Sequence, residues 1–491
     1  RLAEKKCGGN RTKWHYNSQG QLKELAHEDG QGTLERFCYE YDAMGNKTAI
    51  RKERRGLPEE SGSYRYCYDG LGRLMEVWKD GKPLRSYQYD SFGNRIGMGD
   101  YMKGTQAAFA YDALNRLEKV ATWKPDGLPQ GNGAAGSQPQ EGAMAEFVDD
   151  KAVCRSYTYD KRGNLTGEYR EGELVHGYAY GASNRLERAW DNAGREASYS
   201  YNGLGQRTGR SEGEQTEAYL LDLTKPYHNL LGTESGELRH RFYWDYGLAA
   251  EEETGRLPRY YLQDELGSPL RVLYSTGNGE VYGYDEFGQD LYEPEKGRKA
   301  GRYSRQGEGQ PFGYTGYRYD GISETYFAQA REYKAGLGRF AATDKARKNG
   351  AVPMALNKHA YCLNNPLRYI DRNGREEEEC SVYYLNNMDG AKIFGHNAIL
   401  VKDSDGTSEF FSFMGTGEMP KVLEPTYNAW GYMGHESLTK EETEAFLETG
   451  DIFIQMADET IRNFDNYDRA LEKSISKEEY NQLIQAAQYY V

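Results

Sequence analysis

Short stretches of alternating aromatic and polar residues recur along most of the chain, and each ends in an aspartate and a glycine. Tyr39-Glu40-Tyr41-Asp42 is followed by Gly45, and Tyr66-Cys67-Tyr68-Asp69 is followed by Gly72. Because side chains alternate between the two faces of a strand, both tyrosines of a stretch lie on one face. Asp favours a turn, and the later glycine suits its last position. Each unit is therefore predicted to be a strand, a turn and a return strand.

The spacing of these units indicates a repeat of about 21 residues. The second tyrosines at positions 68, 89 and 111 are 21 and 22 residues apart, and the corresponding positions 159, 180 and 201 are 21 apart. A single unit cannot bury its own tyrosine face, so neighbouring units must stack against one another. The repeat predicts one long sheet with rows of cross-strand aromatic pairs. Two further units end at Asp285 and Asp320.

Over roughly residues 10–375 these units resemble the YD-repeat (Rhs) family. The resemblance implies that residues 1–300 wind into a large, spiralling, hollow β-shell, as in the toxin-carrying component of insecticidal toxin complexes. A degenerate unit at 14–20 predicts that the repeats begin before Arg1. The expected fold class is therefore mainly β, with a small α+β domain at the C-terminal end.

One segment interrupts the repeat, between positions 111 and 159. Residues 123–145 are rich in glycine and polar residues and are predicted to be a flexible insertion. The segment contains a GxGxxG motif at Gly131, Gly133 and Gly136, but no strand precedes it and no helix follows it. A dinucleotide site needs that order, so none is predicted.

Residues 301–375 resemble the Rhs-associated core domain, the segment that closes one end of the shell in that family. The resemblance rests on Gly338-Arg339-Phe340, on Tyr361-Cys362-Leu363-Asn364-Asn365-Pro366, and on Asp371 with Gly374. This order of residues is a very specific signal. We therefore expect a plug domain at this position.

The core-domain resemblance also implies an aspartyl autoprotease that frees the C-terminal domain. Asp344 and Asp371 stand at the matching positions, and cleavage is expected near residue 375, at the junction of Gly374 and Arg375. Such chemistry uses two carboxylates that share a site, one protonated and one ionised, to activate a water. The family's Asp-Pro pairs are Asp344-Lys345 and Asp371-Arg372 here. The alternative is an inert plug whose aspartates only cap turns.

Charge divides the chain at this same junction. Residues 376–491 contain 8 Lys or Arg and 23 Asp or Glu, whereas the remaining residues carry a net charge near zero. A net-negative domain is a poor match for phosphate backbones, so a nucleic-acid partner is not predicted. The 43 tyrosines argue against a disordered chain, and no run of 18 apolar residues predicts a membrane span. The six cysteines show no metal or disulfide spacing, and no metal or cofactor is predicted.

Residues 376–491 are predicted to form a small acidic α+β effector domain that continues past Val491. Strands are predicted at 380–385, 393–401, 409–413 and 451–455. One helix is predicted to begin at Ser437 or Thr439 and another to span 476–487, because each has an N-cap residue followed by acidic residues.

The motif Phe394-Gly395-His396-Asn397-Ala398 resembles circularly permuted papain-like hydrolases, in which a strand-borne histidine precedes the cysteine. His396 would then be the general base that activates a thiol. No cysteine follows it in this sequence, and Cys380 is the thiol nearest to it. A structural histidine and a buried structural cysteine are the alternatives. His435 has no second histidine at a metal-binding spacing.

Together these features predict a secreted or cell-surface bacterial polymorphic toxin of the Rhs type, used in competition with other cells. A shell would contain the C-terminal effector until it is delivered to a target cell. The expected partners are an immunity protein for the effector and a secretion or delivery apparatus. The alternative is a cell-surface adhesion or recognition protein without enzymatic activity.

Overall fold

The computed structural model describes residues 3–125, 152–224, 229–245, 247–274, 279–291, 310–344 and 356–375, together with the backbone of the strands that follow. The chain divides into two compact units, Arg1–Arg375 and Glu376–Val491. Most of the predicted insertion at 123–145 and both predicted helices, apart from Ser437 and Leu438, lie outside the described residues.

A continuous antiparallel sheet of 24 strands forms most of the first unit, which confirms the mainly-β prediction. Each strand pairs with the next strand along the chain, from β1 to β24. The strands are β1 (Glu4–Cys7), β2 (Asn10–Tyr16), β3 (Leu22–Asp29), β4 (Gly32–Tyr41), β5 (Lys47–Arg54), β6 (Gly62–Tyr68), β7 (Leu74–Lys79), β8 (Lys82–Tyr89), β9 (Arg95–Asp100), β10 (Thr105–Tyr111), β11 (Leu117–Trp123), β12 (Val153–Tyr159), β13 (Leu165–Arg170), β14 (Glu173–Tyr180), β15 (Leu186–Asp191), β16 (Glu196–Tyr201), β17 (Arg207–Glu212), β18 (Gln215–Asp222), β19 (Asn229–Ser235), β20 (Leu238–Trp244), β21 (Leu248–Glu253), β22 (Arg259–Gln263), β23 (Pro269–Tyr274) and β24 (Gly279–Val281).

In most repeats an aspartate closes a five-residue turn, as the turn after β8 shows. Asp90 Oδ1 accepts hydrogen bonds from the backbone amides of Phe92 (2.9 Å) and Asn94 (2.8 Å). Asn94 Nδ2 donates back to Asp90 Oδ2 at 2.9 Å, and the amide of Gly93, with φ of 75°, donates to Asp90 O. The predicted turn is thus confirmed. Where the fifth residue is arginine, as in Arg73 and Arg116, its Nε makes the same bond.

Because the sheet is a meander, the turns that follow even-numbered strands all lie at one edge of it. The repeat turns after β4, β6, β8, β10, β12, β14 and β16 therefore share that edge. β11 and β12 pair directly, with Lys119 opposite Ser156, so the sheet continues across the interrupted repeat. The edge with the repeat turns is the "turn edge" below.

The two tyrosines of a unit have different roles, although both lie on the same face of the sheet. The first is buried, with Tyr39, Tyr66 and Tyr87 each less than 5% exposed. At the second position the ladder has a register shift, and in five of the units the hydroxyl donates to a backbone carbonyl of the preceding unit. Such bonds run from Tyr41 to Leu22 O, Tyr68 to Lys47 O, Tyr89 to Leu74 O, Tyr111 to Arg95 O and Tyr201 to Leu186 O, at 2.7–3.0 Å.

The first strands of the sheet contact its last strands through buried polar side chains. The carboxylate of Glu35, which is fully buried, lies between Arg54 (2.9 Å) and Arg271 (2.6 Å). A ring nitrogen of His27, Nε2, lies 2.8 Å from Gln263 O. Burial lowers the pKa of His27 to about 4, so its ring is neutral near pH 7 and is an uncharged partner in this contact.

Residues 310–344 and 356–375 include a small sheet of four strands. Its core is a cluster of aromatic rings around Tyr333, whose ring centroid lies 4.1 Å from that of Tyr361. The strands are β25 (Arg318–Asp320), β26 (Thr325–Ala328), β27 (Arg331–Lys334) and β28 (Arg339–Phe340), with 3₁₀ turns at Tyr314–Gly316, Ala335–Leu337 and Cys362–Asn364.

The described part of the second unit consists of strands, arranged in sheets of five and two. The predicted strands at 380–385, 393–401, 409–413 and 451–455 are confirmed, with slightly different ends. Ser437 lies inside a strand, so it is not the N-cap of a helix. The strands are β29 (Cys380–Asn387), β30 (His396–Lys402), β31 (Ser408–Phe413), β32 (Met433–Leu438), β33 (Ile452–Gln455), β34 (Ile461–Phe464) and β35 (Arg469–Ile475).

Removing one turn aspartate should destabilise the first unit. We expect Asp112→Ala to lower the free energy of unfolding by about 1–2 kcal/mol, because the amides of Leu114 and Arg116 and the Arg116 Nε all lose their acceptor. Urea unfolding measures the change. Leu114→Ala is the matched control, since this side chain in the same turn is 67% exposed. Equal losses for the two variants would contradict the role of the aspartate.

The same variant has a predicted pH dependence. Burial raises the pKa of Asp112, but hydrogen bonds from Arg116 and Leu114 outweigh it and hold the pKa below its ordinary value. The stabilisation is therefore present above the unfolded pKa of about 3.9 and is lost as the pH falls through the lower folded value. The difference between wild type and Asp112→Ala should shrink below about pH 4.

Candidate active site

Residues 339–344 and 356–368, called the strap below, run along the turn edge of the sheet. Their side chains donate to backbone carbonyl oxygens of the hairpin turns and to the side-chain oxygens of two turn asparagines. The bonds join Asn365 Nδ2 to Asn46 Oδ1 and Gly72 O (both 2.8 Å), Asn364 Nδ2 to Gly93 O (2.8 Å), Asn357 Nδ2 to Asn94 Oδ1 (2.9 Å), and Thr343 Oγ1 to Arg162 O (2.9 Å).

Two buried ion pairs fix the strands of this segment against the long sheet. Lys334 Nζ lies 2.8 Å from Glu168 Oε2 and 2.8 Å from the Tyr178 hydroxyl, while Arg207 pairs with Glu332. Burial acts to raise the pKa of Glu168, but Lys334 outweighs it and holds the pKa far below its ordinary value. Burial acts to lower the pKa of Lys334, and Glu168 reverses this, so the pKa is raised. Both groups are therefore charged at neutral pH.

Arg331, the first residue of β27, brings the predicted site residues together. Its Nη2 lies 3.1 Å from Asp371 Oδ2 and its Nη1 lies 3.4 Å from Asp344 Oδ2. Its Nε donates to the carbonyl oxygen of Gly374 at 2.6 Å. All of these side chains are buried, with the three charged groups at most 10% exposed. One guanidinium therefore contacts both carboxylates and the junction carbonyl.

Local structure holds that guanidinium in one orientation. The tight turn before β27 has Gln329 in the left-handed region, with φ of 58°, which sends β27 back along β26. The Arg331 guanidinium lies 3.6 Å from the ring centroid of Phe340, and its Nη1 also donates to Lys358 O at 3.2 Å. A planar cation on an aromatic face with fixed acceptors has little rotational freedom.

The junction peptide is held at both of its polar ends. Besides the bond from Arg331 to Gly374 O, the amide of Arg375 donates to Asn373 Oδ1 at 2.9 Å. The backbone amide of Ala330 donates to Asn373 O at 2.9 Å. Gly374 has φ of 68°, and a Cβ there would come within 2.0 Å of Ala328 O, so only glycine fits. The Gly374–Arg375 bond is thus fixed beside the two aspartates.

The structure therefore brings Asp344, Asp371 and the Gly374 carbonyl oxygen to one guanidinium, and the roles of these residues in cleavage stay predictions. The sequence-based prediction did not include Arg331, which precedes the two aspartates in the chain. A signal was present, because two carboxylates in one buried site need a cation. It also missed Asn373, whose acceptor role depends on the turn geometry. His396 is the first residue of β30 in the second unit, and its role stays a prediction.

Within the described residues, no group of His, Cys, Asp and Glu side chains is arranged to hold a metal ion. The described residues also contain no helix with the length and apolar character that a membrane crossing requires.

Comparison with known proteins agrees with this architecture. The family model of the teneurin YD-shell matches residues 12–212. A stretch of 390 residues is 26% identical to toxin protein Tse5 of Pseudomonas aeruginosa, covering 68% of this chain and 26% of that protein. The chain is therefore similar to proteins with YD-repeat (Rhs) shells.

Other proteins are similar to this chain over comparable lengths. Human teneurin-4 is 23% identical over 364 residues, covering 72% of this chain and 11% of teneurin-4. The tRNA nuclease WapA of Bacillus subtilis is 25% identical over 314 residues, covering 62% of this chain and 12% of WapA. The chain thus spans only a minor part of the length of these relatives.

Among solved structures, the crystal structure of TcdB2-TccC3 is similar to 76% of this chain and 19% of its own, with 16% identity and a TM-score of 0.49.

The glycine at the junction provides a test of this geometry. Gly374→Ala should destabilise the segment from 310 to 375 by about 2 kcal/mol or more, because its Cβ would clash with the backbone of Ala328 and its φ is positive. Thermal unfolding and hydrogen exchange at β26 and β27 measure the effect. Gly336→Ala is the control, since no atom lies within 4 Å of a Cβ there. Equal stability of Gly374→Ala and Gly336→Ala would contradict the close packing of Gly374 against the backbone of Ala328.

Proposed function

We propose that this protein is the shell of a secreted Rhs-type bacterial toxin, which contains a C-terminal effector and releases it by self-cleavage between Gly374 and Arg375. Residues 310–344 and 356–375, which include the strap, would close the shell at the turn edge. The family relatives that are toxins by name support this assignment. The contact of Arg331 with Asp344, Asp371 and Gly374 O is the observation that carries it.

The geometry supports a hydrolytic mechanism in which Arg331 stabilises the developing negative charge. A carboxylate of the pair, Asp371 or Asp344, takes a proton from a water, and the water oxygen bonds to the Gly374 carbonyl carbon. The charge that develops on Gly374 O is stabilised by the Arg331 Nε, which already donates to it. The carbon–nitrogen bond then breaks, and the carboxyl group returns the proton to the Arg375 nitrogen.

This arrangement differs in one respect from two carboxylates that share a proton. A guanidinium that contacts both groups compensates their charge, so one aspartate would be the base while the other helps to hold Arg331. The family's prolines after each aspartate are Lys345 and Arg372 here, and the Arg331 contacts do not depend on them. The alternative of an inert plug keeps the same contacts without the chemistry.

The acidic second unit would be the effector. Its charge, with 23 acidic and 8 basic residues in 376–491, favours a target other than nucleic acid. His396, at the start of β30, is the proposed general base of a thiol hydrolase, and Cys380, the first residue of β29, is the alternative nucleophile. An immunity protein and a delivery apparatus are the partners that such an effector requires.

Self-cleavage predicts two fragments. On a denaturing gel the purified chain should separate into a piece of about 375 residues and a tail whose N-terminal residue is Arg375. Asp371→Asn and Asp344→Asn should each reduce cleavage at least 100-fold, on the order of the loss from removing one catalytic group. Arg331→Lys keeps the positive charge but not the three contacts, and this variant should slow cleavage as well.

Asp112→Asn is the matched control, because it makes the same substitution in a repeat turn and should leave cleavage unchanged. Circular dichroism must show that each variant is folded. A single intact band from the folded wild-type chain would refute self-cleavage and leave the inert plug.

The toxin assignment predicts growth arrest. Expression of the full chain in a bacterial cytosol should arrest growth. A chain that ends at Arg375 should not arrest growth, because it lacks the second unit, Glu376–Val491. His396→Ala should restore growth if this residue is the general base, and Cys380→Ser tests the alternative thiol. Equal growth with and without the second unit would favour the adhesion hypothesis instead.

A further inference from the structure

The junction contains an asparagine followed by glycine, and its surroundings suit a reaction that the proposed cleavage does not use. A glycine after asparagine leaves the backbone nitrogen open to the asparagine side chain, because glycine has no Cβ. Asn373 is partly exposed, so water reaches it, while Gly374 is buried. Ring closure between these two residues needs charge stabilisation at two oxygens.

The first of these oxygens is the carbonyl oxygen of Asn373. The nucleophile for ring closure is the deprotonated Gly374 nitrogen, whose negative charge spreads by amide resonance to Asn373 O. The backbone amide of Ala330 donates to this oxygen at 2.9 Å. A fixed donor at an oxygen that gains charge lowers the barrier.

The second oxygen belongs to the Asn373 side chain. When the Gly374 nitrogen attacks Cγ, negative charge develops on Oδ1, and the amide of Arg375 donates to this atom at 2.9 Å. The donor is a backbone N–H, so the atom facing it is the oxygen of the side-chain amide and the nitrogen is directed away. Both oxygens that gain charge therefore already face a donor.

We propose that Asn373-Gly374 is a self-modification site that forms a succinimide. A hydroxide ion that enters from the exposed side of Asn373 takes the proton of the buried Gly374 nitrogen, and this nitrogen bonds to Asn373 Cγ. The bond from Cγ to Nδ2 breaks, and Nδ2 leaves as ammonia after taking a proton from water. Water then opens the ring at either carbonyl, which gives aspartate or isoaspartate at position 373.

A second asparagine–glycine pair in the described chain provides an internal comparison. Asn202 closes a repeat turn and has the same two kinds of donor as Asn373: its Oδ1 accepts from the amides of Leu204 and Gln206, both at 3.0 Å, and its backbone oxygen accepts from the amide of Gly205 at 2.9 Å. Its Nδ2, the atom that would leave, is bound to Gln206 Oε1 at 2.6 Å. No such bond is made by Asn373 Nδ2 to the described residues. Folding should therefore protect Asn202 and leave Asn373 reactive.

The modification would change the junction. It replaces a neutral amide by a carboxylate two residues from Asp371, and isoaspartate adds one methylene to the backbone at the point where Ala330 and Arg331 hold it. The new charge lies close to the guanidinium that contacts both aspartates. The reaction itself does not depend on self-cleavage, so the two proposals fail separately.

The experiment measures the reaction at each asparagine in the full chain. Asp344→Asn is the background, so that the bond after Gly374 stays intact; Asp371→Asn replaces it if that variant is unfolded. The chain is incubated in water enriched in heavy oxygen near neutral pH, both folded and unfolded in urea. Peptide mass spectrometry then counts the label that ring opening introduces at positions 373 and 202. Asn373→Gln is the control for assignment, because the larger ring forms far more slowly.

We expect label at Asn373 to enter the folded chain at least as fast as the unfolded chain. At Asn202, folding should slow the incorporation of label by on the order of tenfold or more. This slowing also verifies that the chain is folded. Slower labelling of Asn373 in the folded chain than in urea would overturn the proposal, because the two donors would then not promote the reaction.

Discussion

The aspartate-capped turn is the constraint on which the rest of the first unit depends. By accepting two backbone amides and the side chain of the fifth residue, a carboxylate such as that of Asp90 fixes the turn in one geometry. Because that geometry repeats, turn carbonyls and asparagines line one edge of the sheet. The strap is complementary to this edge, with Asn364 and Asn365 donating to successive turns. The position of the candidate site thus follows from a local hydrogen-bond pattern repeated along a sheet.

Tyrosine has a physical reason to be the aromatic residue of the repeat. The register shift at the second aromatic position leaves a backbone carbonyl of the preceding unit without a ladder partner, and the hydroxyl of Tyr89 or Tyr111 supplies the donor. Phenylalanine would fill the same space and leave that acceptor unsatisfied. Trp244 makes an equivalent bond to Leu230 O through its ring N–H, so the requirement is for a donor at that place.

Buried charges connect the segment from 310 to 375 to the sheet and define its chemistry. Glu168 with Lys334 and Glu332 with Arg207 are pairs in which each burial cost is offset by a partner from a distant part of the chain. Arg331 extends this principle to three acceptors at once, two carboxylates and the Gly374 carbonyl. The interaction that compensates the aspartates is therefore the one that holds the junction peptide beside them.

The sequence by itself determined the strand-turn-strand unit, its period and the residues of the turn, because these depend on neighbours within five positions. Through its resemblance to the core domain it also named Asp344 and Asp371 as candidates, and their roles stay predictions. It missed Arg331 and Asn373, and it placed Ser437 at a helix start when the residue lies in a strand. Those outcomes depend on which distant groups meet. Only the tertiary structure decided that one guanidinium lies against both carboxylates, because a buried cation takes the acceptors that folding brings to it.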